Sequence, residues 1–196
     1  MTDTLTIALA QVNPTVGDLA GNLARIRAKR AEAAMAGADL VVFTELTVCG
    51  YPPEDLVLRP SFQAATAAAV DGLAADTADG GPAMIVGALR VENGALHNAT
   101  FLLEGGKIAA VRLKHDLPNY GVFDEKRIFK AGPLPGPMSF RGVRLGVMVC
   151  EDMWAPDVSE CLEESGAEML IVVNGSPYET AKQDERVNLA VARVTE

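Results

Sequence analysis

The sequence is poor in histidine, cysteine and positive charge, and each shortage narrows what the chain can do. Its 196 residues include two histidines and three cysteines, and the cysteines (Cys49, Cys150, Cys161) lack the close spacing of a metal site. An odd cysteine count of this kind favours a reduced, cytoplasmic protein. The formal net charge of −9 argues against a nucleic-acid backbone as partner.

Long apolar runs are also missing. None approaches the ~20 residues needed to cross a bilayer, so no membrane is expected as a partner. Residues 1–4 lack the basic and apolar segments of a signal peptide. We find no internal repeat and no low-complexity segment. The last amphipathic stretch reaches Glu196 without a glycine, asparagine or proline to close it, so we expect a fold that is truncated at its C-terminal end.

Apolar runs alternate with amphipathic stretches and predict an α/β protein. The predicted strands cover residues 5–10, 39–43, 83–91, 96–103, 107–113, 143–149 and 168–174. The predicted helices cover 18–37 with Asp18 as N-cap, 61–77 with Ser61 as N-cap, 157–165, and the stretch from about 179. The basic residues 25–30 are interpreted as a solvated helix face. The long irregular stretch 115–137 is typical of a functional segment, since its aromatics argue against disorder.

One stretch combines a buried strand with reactive groups. Residues 143–149 are apolar and largely β-branched, and Cys150 follows them directly, ahead of Glu151, Asp152 and Trp154. A cysteine at the end of a buried strand can face a cleft on a rigid backbone, with the Glu151 N–H placed to help stabilise an oxyanion. A single cysteine is nevertheless more often a packing residue.

Two other predicted strands end in groups that complement a thiol. Glu45 follows the strand 39–43, and Lys114 follows the strand 107–113. Strand ends along one sheet edge can converge on one crevice. A carboxylate can then take the thiol proton, and an ammonium can stabilise the thiolate and a tetrahedral intermediate. Each charge alone fits a solvated loop end equally well. A cysteine–histidine site is poorly supported, because His97 falls in the middle of a predicted strand.

These residues also carry a family resemblance. The short motifs around Glu45, Lys114 and Cys150 resemble the Glu-Lys-Cys triad of the nitrilase superfamily of carbon–nitrogen hydrolases. Within it, residues 50–56, 117–125 and 150–154 are similar to the amidase (glutaminase) domain of the glutamine-dependent NAD⁺ synthetases. The resemblance covers the whole chain, and it implies a nitrilase-like α-β-β-α sandwich of which residues 1–196 form the N-terminal part.

The resemblance implies a reaction and its residues. Cys150 attacks the side-chain amide of glutamine and forms a thioester, with Glu45 as general base and Lys114 stabilising the oxyanion. Glu125 is implied as a second carboxylate beside the triad, although it also fits a surface charge. The implied glutamine pocket contains Tyr51, Tyr120, Phe123, Glu151, Ser176 and Lys182. Glu151 has its own physical reason, since the α-ammonium of glutamine needs an acidic partner.

The resemblance also implies partners. The ammonia would serve a synthetase domain that uses ATP and Mg²⁺ and is absent from this chain, while the glutaminase step itself needs no cofactor or metal. The family commonly self-associates, so a homo-oligomer is expected. Cys49, Cys161 and Trp154 are assigned to packing, with Trp154 as an alternative pocket wall. Two other functions stay open: a stand-alone nitrilase-family amidase or carbamoylase acting on another small amide, and a non-catalytic interaction domain on the same scaffold.

Overall fold

The computed structural model describes residues 4–180 and 182–195, which fold into two β-sheets between layers of helices. The strands and helices are named in chain order. The strands are β1 (Ile7–Leu9), β2 (Leu40–Val42), β3 (Ala83–Glu92), β4 (Ala95–Glu104), β5 (Lys107–Leu113), β6 (Met138–Phe140), β7 (Val143–Val149) and β8 (Met169–Val173). The α-helices are α1 (Leu19–Met35), α2 (Pro60–Asp76), α3 (Pro156–Glu164) and α4 (Lys182–Thr195).

The first sheet has the order β1-β2-β3-β4-β5 and the second has the order β6-β7-β8. Strands β1, β2 and β3 pair in parallel, whereas β3, β4 and β5 form an antiparallel meander. Asn93 and Gly94 have φ values of 52° and 77° and join β3 to β4. Positive φ at both central residues is what the favoured two-residue hairpin turn requires.

Alternating side chains of the strands build two separate core layers. Val41 and Phe43 pack with α1 and α2, while Leu40 and Val42 face Leu145 and other residues of the second sheet. The outer face of the second sheet packs on α3. Because successive side chains of a strand point to opposite faces, both sheets are covered on both sides, and the strands β2 and β8 are wholly apolar. The architecture is the predicted α-β-β-α sandwich.

Most predicted elements are present, with shifted ends. Asp18 is the N-cap of α1 and accepts a hydrogen bond from the Gly21 N–H at 2.9 Å, as predicted. The Ser61 cap was wrong: α2 begins at Pro60 with Arg59 as N-cap. Proline's fixed φ suits the first helical position, so the helix begins one residue earlier. Strand β6 was not predicted. The stretch 115–137 is irregular apart from one 3-10 turn at Glu125–Arg127.

The prediction of a wholly solvated basic face on α1 was also wrong. Arg30 is buried, and its guanidinium donates to Asp79 at 2.7 and 2.9 Å and to the Pro82 carbonyl at 2.8 Å. These partners lie about fifty positions away, so the sequence around Arg30 gives no sign of them. The signal-peptide prediction concerns residues 1–4, of which 1–3 lie outside the described residues.

The helices can be compared with what a bilayer requires. Among the described residues, none of them combines the length and the apolarity of a membrane-spanning segment.

Candidate active site

Three strand ends converge on one buried chamber. Glu45 lies three residues after β2, Lys114 directly follows β5, and Cys150 directly follows β7. Their relative exposures are 1%, 0% and 4%, and Glu125 from the irregular segment joins them at 4%. We call these four residues the inner chamber. Hydrogen bonds join Lys114 to both Glu45 and Glu125, so Glu125 lies with them rather than at the surface. That Glu45, Lys114 and Cys150 act together as a triad stays a prediction.

Lys114 lies at the centre of the inner chamber. Its Nζ donates to Glu45 Oε1 at 2.7 Å and to Glu125 Oε1 at 2.9 Å. Burial alone would lower the pKa of Lys114, but the two carboxylates outweigh it and raise the pKa above its usual value. Lys114 is therefore a fixed ammonium at physiological pH.

The surroundings of Glu125 disfavour its ionised form. Burial raises its pKa, Lys114 opposes the rise, and the nearby charge of Glu45 adds to it. Tyr51 donates its hydroxyl to Glu125 Oε1 at 2.9 Å, which places Tyr51 behind this carboxylate. One ammonium thus balances two carboxylates that would otherwise repel each other in a buried site.

Glu45 is held by donors from distant parts of the chain. Besides Lys114, its Oε1 accepts from Asn98 Nδ2 at 2.7 Å, and its Oε2 accepts from the Gly175 N–H at 3.1 Å. A Cβ at Gly175 would lie 2.8 Å from Glu45 Oε2, so a larger residue there would displace the carboxylate. Glu45 is consequently fixed in one position and faces the chamber as an acceptor.

Cys150 occupies a strained backbone position at the sheet edge. Its φ is 50°, a left-handed conformation that non-glycine residues seldom adopt, and it begins a 3-10 turn over Cys150–Met153. The Sγ lies 3.5 Å from Ser176 Oγ. Burial, reinforced by the charge of Glu45 and opposed by Lys114, raises the pKa of the thiol to about 12. The resting thiol is therefore protonated and needs a base before it can attack.

Two side chains connect the strand that carries Lys114 to the strand that carries Cys150. Asp152 accepts from the His115 and Asp116 N–H groups at 3.0 and 2.8 Å and from the Val149 N–H at 2.9 Å. Arg112, on β5, donates from Nε to the Val147 carbonyl of β7 at 3.1 Å. Both side chains are buried. They fix the spacing between the two strand ends on either side of the inner chamber.

An outer cleft adjoins the inner chamber at Cys150. Its lining residues are Tyr120, Phe123, Cys150, Glu151, Trp154, Ser176, Pro177, Lys182 and Arg186. Tyr120 donates its hydroxyl to both carboxylate oxygens of Glu151 at 3.1 Å, and its ring meets Phe123 edge-on with centroids 5.5 Å apart. Burial raises the pKa of Tyr120 to about 12 and also raises the pKa of Glu151. A wider cavity of about 760 Å³, beside the cleft, shares Tyr120, Glu151 and Trp154 with it.

Helix α4 brings two cations to the outer cleft. Lys182 Nζ lies 3.3 Å from Glu179 Oε1 and 5.5 Å from the centre of the Trp154 ring. Arg186, one turn further along the helix, donates from Nη2 to the Pro177 carbonyl at 2.8 Å. The cleft thus has a carboxylate, Glu151, together with two positive side chains.

The residues predicted for a substrate pocket separate into two groups. Tyr120, Phe123, Glu151, Ser176 and Lys182 line the outer cleft, while Tyr51 lies behind Glu125. Asn98, Asp152, Arg112 and Arg186 were not singled out from the sequence. A polar residue inside an apolar strand is a weak signal for Asn98, whereas Arg186 looked like one more helix charge.

The residues assigned to packing are also placed. Cys49 is fully buried in an apolar cluster with Leu46 and Phe129. Cys161 is half-buried on α3, with its Sγ 3.4 Å from the Pro135 carbonyl. Trp154 forms a wall of the outer cleft, which is the alternative considered for it. Across residues 4–180 and 182–195, no group of three or more His, Cys, Asp or Glu side chains is arranged to hold a metal ion.

The layers and the site together define a class of protein. A four-layer sandwich with a buried thiol, ammonium and carboxylates at one sheet edge is suited to the cleavage of carbon–nitrogen bonds. The sequence model of the carbon-nitrogen hydrolase family matches residues 6–193, and the chain belongs to that family.

Similar curated proteins in other organisms include glutamine-dependent NAD(+) synthetases. The chain is 46% identical over 196 residues to the glutamine-dependent NAD(+) synthetase of Rhodobacter capsulatus, covering 100% of this chain and 35% of the relative. It is 39% identical to the corresponding protein of Xylella fastidiosa, covering 100% of this chain and 36% of the relative. The chain thus spans about a third of the length of the curated relatives it matches.

Solved structures share the fold. Glutamine-dependent NAD+ synthetase from Acinetobacter baumannii superposes with a TM-score of 0.84 at 34% identity, over 93% of this chain and 34% of the other. A mutant amidase from Nesterenkonia sp. AN1, in which acrylamide has added to the active-site cysteine, superposes with a TM-score of 0.81 at 26% identity, over 97% and 74% of the two chains. The fold is therefore that of the nitrilase superfamily.

Proposed function

We propose that this chain hydrolyses the side-chain amide of glutamine and supplies ammonia for ATP-dependent synthesis of NAD⁺ from nicotinic acid adenine dinucleotide. The observation that carries the proposal is the inner chamber, in which Lys114 bridges Glu45 and Glu125 beside the buried thiol of Cys150. The similarity of the whole chain to about a third of the length of proteins named glutamine-dependent NAD(+) synthetases supports the choice of substrate.

The first half-reaction releases ammonia. Cys150 Sγ attacks the amide carbon while Glu45 accepts the thiol proton, because the raised pKa of the thiol leaves almost no thiolate at neutral pH. Lys114 stabilises the negative charge that develops on the carbonyl oxygen. When the carbon–nitrogen bond breaks, Glu45 returns the proton to the leaving nitrogen. The products are ammonia and a glutamyl thioester on Cys150.

The second half-reaction regenerates the thiol. Glu45 accepts a proton from water, the resulting hydroxyl attacks the thioester carbon, and the carbon–sulfur bond breaks to give glutamate. The proton then passes from Glu45 to Cys150 Sγ. Glu125 positions Lys114 throughout, since it shares the ammonium with Glu45.

The outer cleft recognises the amino-acid end of glutamine in this proposal. The α-ammonium pairs with Glu151, which Tyr120 orients through its hydroxyl. Ser176, 3.5 Å from the nucleophile, and Lys182 provide further polar contacts, and Phe123 packs against the substrate's methylene groups. Tyr51 acts indirectly, because its hydroxyl donates a hydrogen bond to Glu125, which in turn positions Lys114.

The proposal also includes partners. A synthetase domain, absent from this chain, consumes the ammonia with ATP and Mg²⁺, and residues 1–196 form the N-terminal part of the amidase domain. The hydrolysis itself uses no metal or cofactor. A cytoplasmic, homo-oligomeric protein that binds neither nucleic acid nor membrane belongs to the same proposal.

A second candidate is a stand-alone amidase that acts on another small amide. The amidase from Nesterenkonia favours it, because that enzyme has the same fold with 74% of its chain covered. The two candidates differ in substrate and in whether ammonia is passed on. Activity on glutamine and inactivity on simple aliphatic amides would favour the first.

The test combines turnover with chemical trapping. We expect the chain to release glutamate and ammonia from glutamine, and the glutamine-mimicking electrophile 6-diazo-5-oxo-L-norleucine to label Cys150 in a mass map. Cys150→Ala should abolish both, and any attached synthetase should still work with free ammonia. Cys161→Ala, which removes the half-buried thiol of α3, is the matched control and should keep both. Glutamine hydrolysis by Cys150→Ala would remove Cys150 from its role.

A further inference from the structure

A cluster of charged side chains lies at the protein surface, apart from the inner chamber and the outer cleft. Arg127 donates from Nε to Asp124 Oδ2 at 2.5 Å, within its own segment. It also donates from Nη1 to Asp55 and from Nη2 to Glu54 Oε2 at 3.3 Å, and both acceptors belong to the loop that follows Tyr51. The four side chains are 44% to 73% exposed. We call Arg127 and its three carboxylate partners the surface clasp.

Both sides of the surface clasp lead to the hydrogen bond between Tyr51 and Glu125. Arg127 and Glu125 are the two ends of one 3-10 turn, so their backbones move together. On the other side, only two prolines separate Tyr51 from Glu54, and their rings fix φ. The Tyr51 hydroxyl donates to Glu125 Oε1 at 2.9 Å, and the same oxygen accepts from Lys114. A shift of one segment against the other would therefore reach this hydrogen bond.

The charge balance of the surface clasp depends on one guanidinium. Exposed ion pairs contribute little stability, so the three contacts alone are a weak link between the segments. Without the positive charge, however, three carboxylates would face one another between the two segments and repel. Solvent limits this repulsion and dissolved salt screens it. The removal of Arg127 should therefore push the loop of Tyr51 away from the segment of Glu125, and the push should weaken as salt is added.

We propose that Arg127 is a positioning residue of the reaction, which holds the Tyr51 hydroxyl on Glu125 from the protein surface. This inference rests on the proposed function, since its consequence is a change in the rate of the chemistry at Cys150. Arg127 acts only through other residues: the surface clasp holds Tyr51, Tyr51 orients Glu125, and Glu125 positions Lys114. The effect of losing Arg127 therefore cannot exceed the effect of losing the Tyr51 hydroxyl.

The first experiment uses salt to distinguish the clasp from a general structural role. In the full chain at low salt, Arg127→Gln should lower kcat for glutamine about 2- to 5-fold and change KM less than about twofold. Raising NaCl from about 0.02 M to about 0.5 M should recover most of the loss in the variant, because the ions screen the three carboxylates from one another. The same salt should leave kcat of the unmodified protein constant or lower it slightly, since it weakens the ion pairs.

Lys130→Gln is the matched control. It removes the same charge from an exposed position three residues further along the same segment. This control should follow the unmodified protein at both salt concentrations. Arg127→Lys keeps the positive charge but loses the forked geometry, so its kcat should lie between those of the unmodified protein and Arg127→Gln.

A second experiment removes the repulsion without salt. Adding Glu54→Gln, Asp55→Asn and Asp124→Asn to Arg127→Gln leaves no charge in the clasp. This fourfold variant should return to within about twofold of the unmodified kcat, because coupled substitutions are not additive.

A double-mutant cycle tests the route to the site. In a Tyr51→Phe background, Arg127→Gln should change kcat less than about 1.5-fold, since the hydrogen bond that the clasp maintains is already absent.

Alkylation of Cys150 by iodoacetamide, located by mass mapping, separates this inference from the proposed function. The reagent needs no substrate recognition, and its rate depends on thiolate formation beside Glu45 and Lys114. Alkylation should slow in Arg127→Gln and recover with salt. If the unmodified chain does not hydrolyse glutamine, the proposed function fails, while the salt-dependent alkylation still tests the clasp.

Three results would overturn the inference. The first is unchanged kcat and unchanged alkylation in Arg127→Gln. The second is a loss that is equal at both salt concentrations, which would mean that Arg127 only supports the local fold. The third is a full further loss when Arg127→Gln is added to Tyr51→Phe, which would mean that the effect does not pass through Tyr51.

Discussion

The inner chamber and the outer cleft share Cys150 but are built in different ways. Three of the four residues of the inner chamber follow strands of the core, and the chamber side chains that form ion pairs are at most 5% exposed. The outer cleft takes Tyr120 from the irregular segment and Lys182 and Arg186 from α4, a helix with no buried residue between 182 and 195. Tyr120 is half exposed.

The difference assigns separate tasks to the two regions. Reaction chemistry needs fixed distances between charged groups, and rigid strand ends in a core provide them. Substrate recognition needs an opening to solvent, and segments with little burial can form one. Variants of the inner chamber should therefore change kcat and stability, whereas variants of the outer cleft should change KM. The predictions below test this division, beginning with the largest effect.

The largest effect is expected at Lys114. Lys114→Met leaves Glu45 and Glu125 buried without their ammonium, which should cost about 3–5 kcal/mol of unfolding free energy and suppress thioester formation. Burial raises the pKa of Glu125 in the folded protein, and loss of the opposing ammonium should raise this pKa further above its unfolded value. The variant should therefore gain stability as pH falls from 8 to 5, as measured by urea denaturation. Lys107→Met, at an exposed position of the same strand, should lie within about 0.5 kcal/mol of the parent.

Glu45 tests the pH dependence of the inner chamber. Glu45→Gln should lower turnover roughly 10²- to 10⁴-fold, because no base remains for the thiol proton. Burial raises the pKa of Cys150 to about 12, so the unmodified protein depends on Glu45 to remove the thiol proton. The acylation rate of the unmodified protein should be flat between about pH 6.5 and 9. In the variant only bulk thiolate reacts, and the residual rate should rise about tenfold per pH unit.

The parent and Glu164→Gln, at an exposed position of α3, should give the same flat profile. Removing the negative charge of Glu45 should also lower the pKa of the thiol, although burial, its largest cause, remains. A flat profile for Glu45→Gln would mean that another group accepts the proton.

Substitutions at Glu125 and at Tyr51 should lower kcat by different amounts. Glu125→Gln removes one of the two anions on Lys114 and should lower kcat about 10- to 100-fold with little change in KM. Tyr51→Phe removes the 2.9 Å hydrogen bond behind that carboxylate and should lower kcat only about 3- to 10-fold. Steady-state kinetics on glutamine measure both. If the change in KM were larger than the change in kcat, Glu125 would contribute to substrate recognition, like the residues of the outer cleft, and not to the reaction chemistry.

The smallest effect is expected at Tyr120. Tyr120→Phe keeps the ring contact with Phe123 but removes the hydroxyl that donates to Glu151. The KM for glutamine should rise about 2- to 10-fold while kcat and the unfolding free energy stay the same. Loss of stability comparable to that of Lys114→Met would contradict the division between the two regions.

The sequence predicted the strands, the helices and the reactive strand ends to a large extent. Apolar patterning is local information, so the apolar run from Leu40 to Phe43 and the run before Cys150 were sufficient to locate buried strands. Motif similarity added Glu125 and the residues of the irregular segment, which periodicity alone would have missed. The N-cap at Asp18 was correct and the one at Ser61 was not, because neighbouring residues compete for the first position of a helix.

Several contacts between residues far apart in the sequence could not be predicted from it. Arg30 looked like a solvated helix charge and is buried against Asp79, and Arg186 looked the same and lines the cleft beside Cys150. Asn98 and Gly175 hold Glu45 from 53 and 130 positions away.

By itself, the sequence therefore determined which groups are available and the class of fold that presents them. The tertiary structure decided which of them touch, because the sign and size of each electrostatic interaction depend on burial and distance. A lysine becomes a permanently charged bridge between two carboxylates, and a thiol becomes dependent on a base, only when the sandwich closes around them.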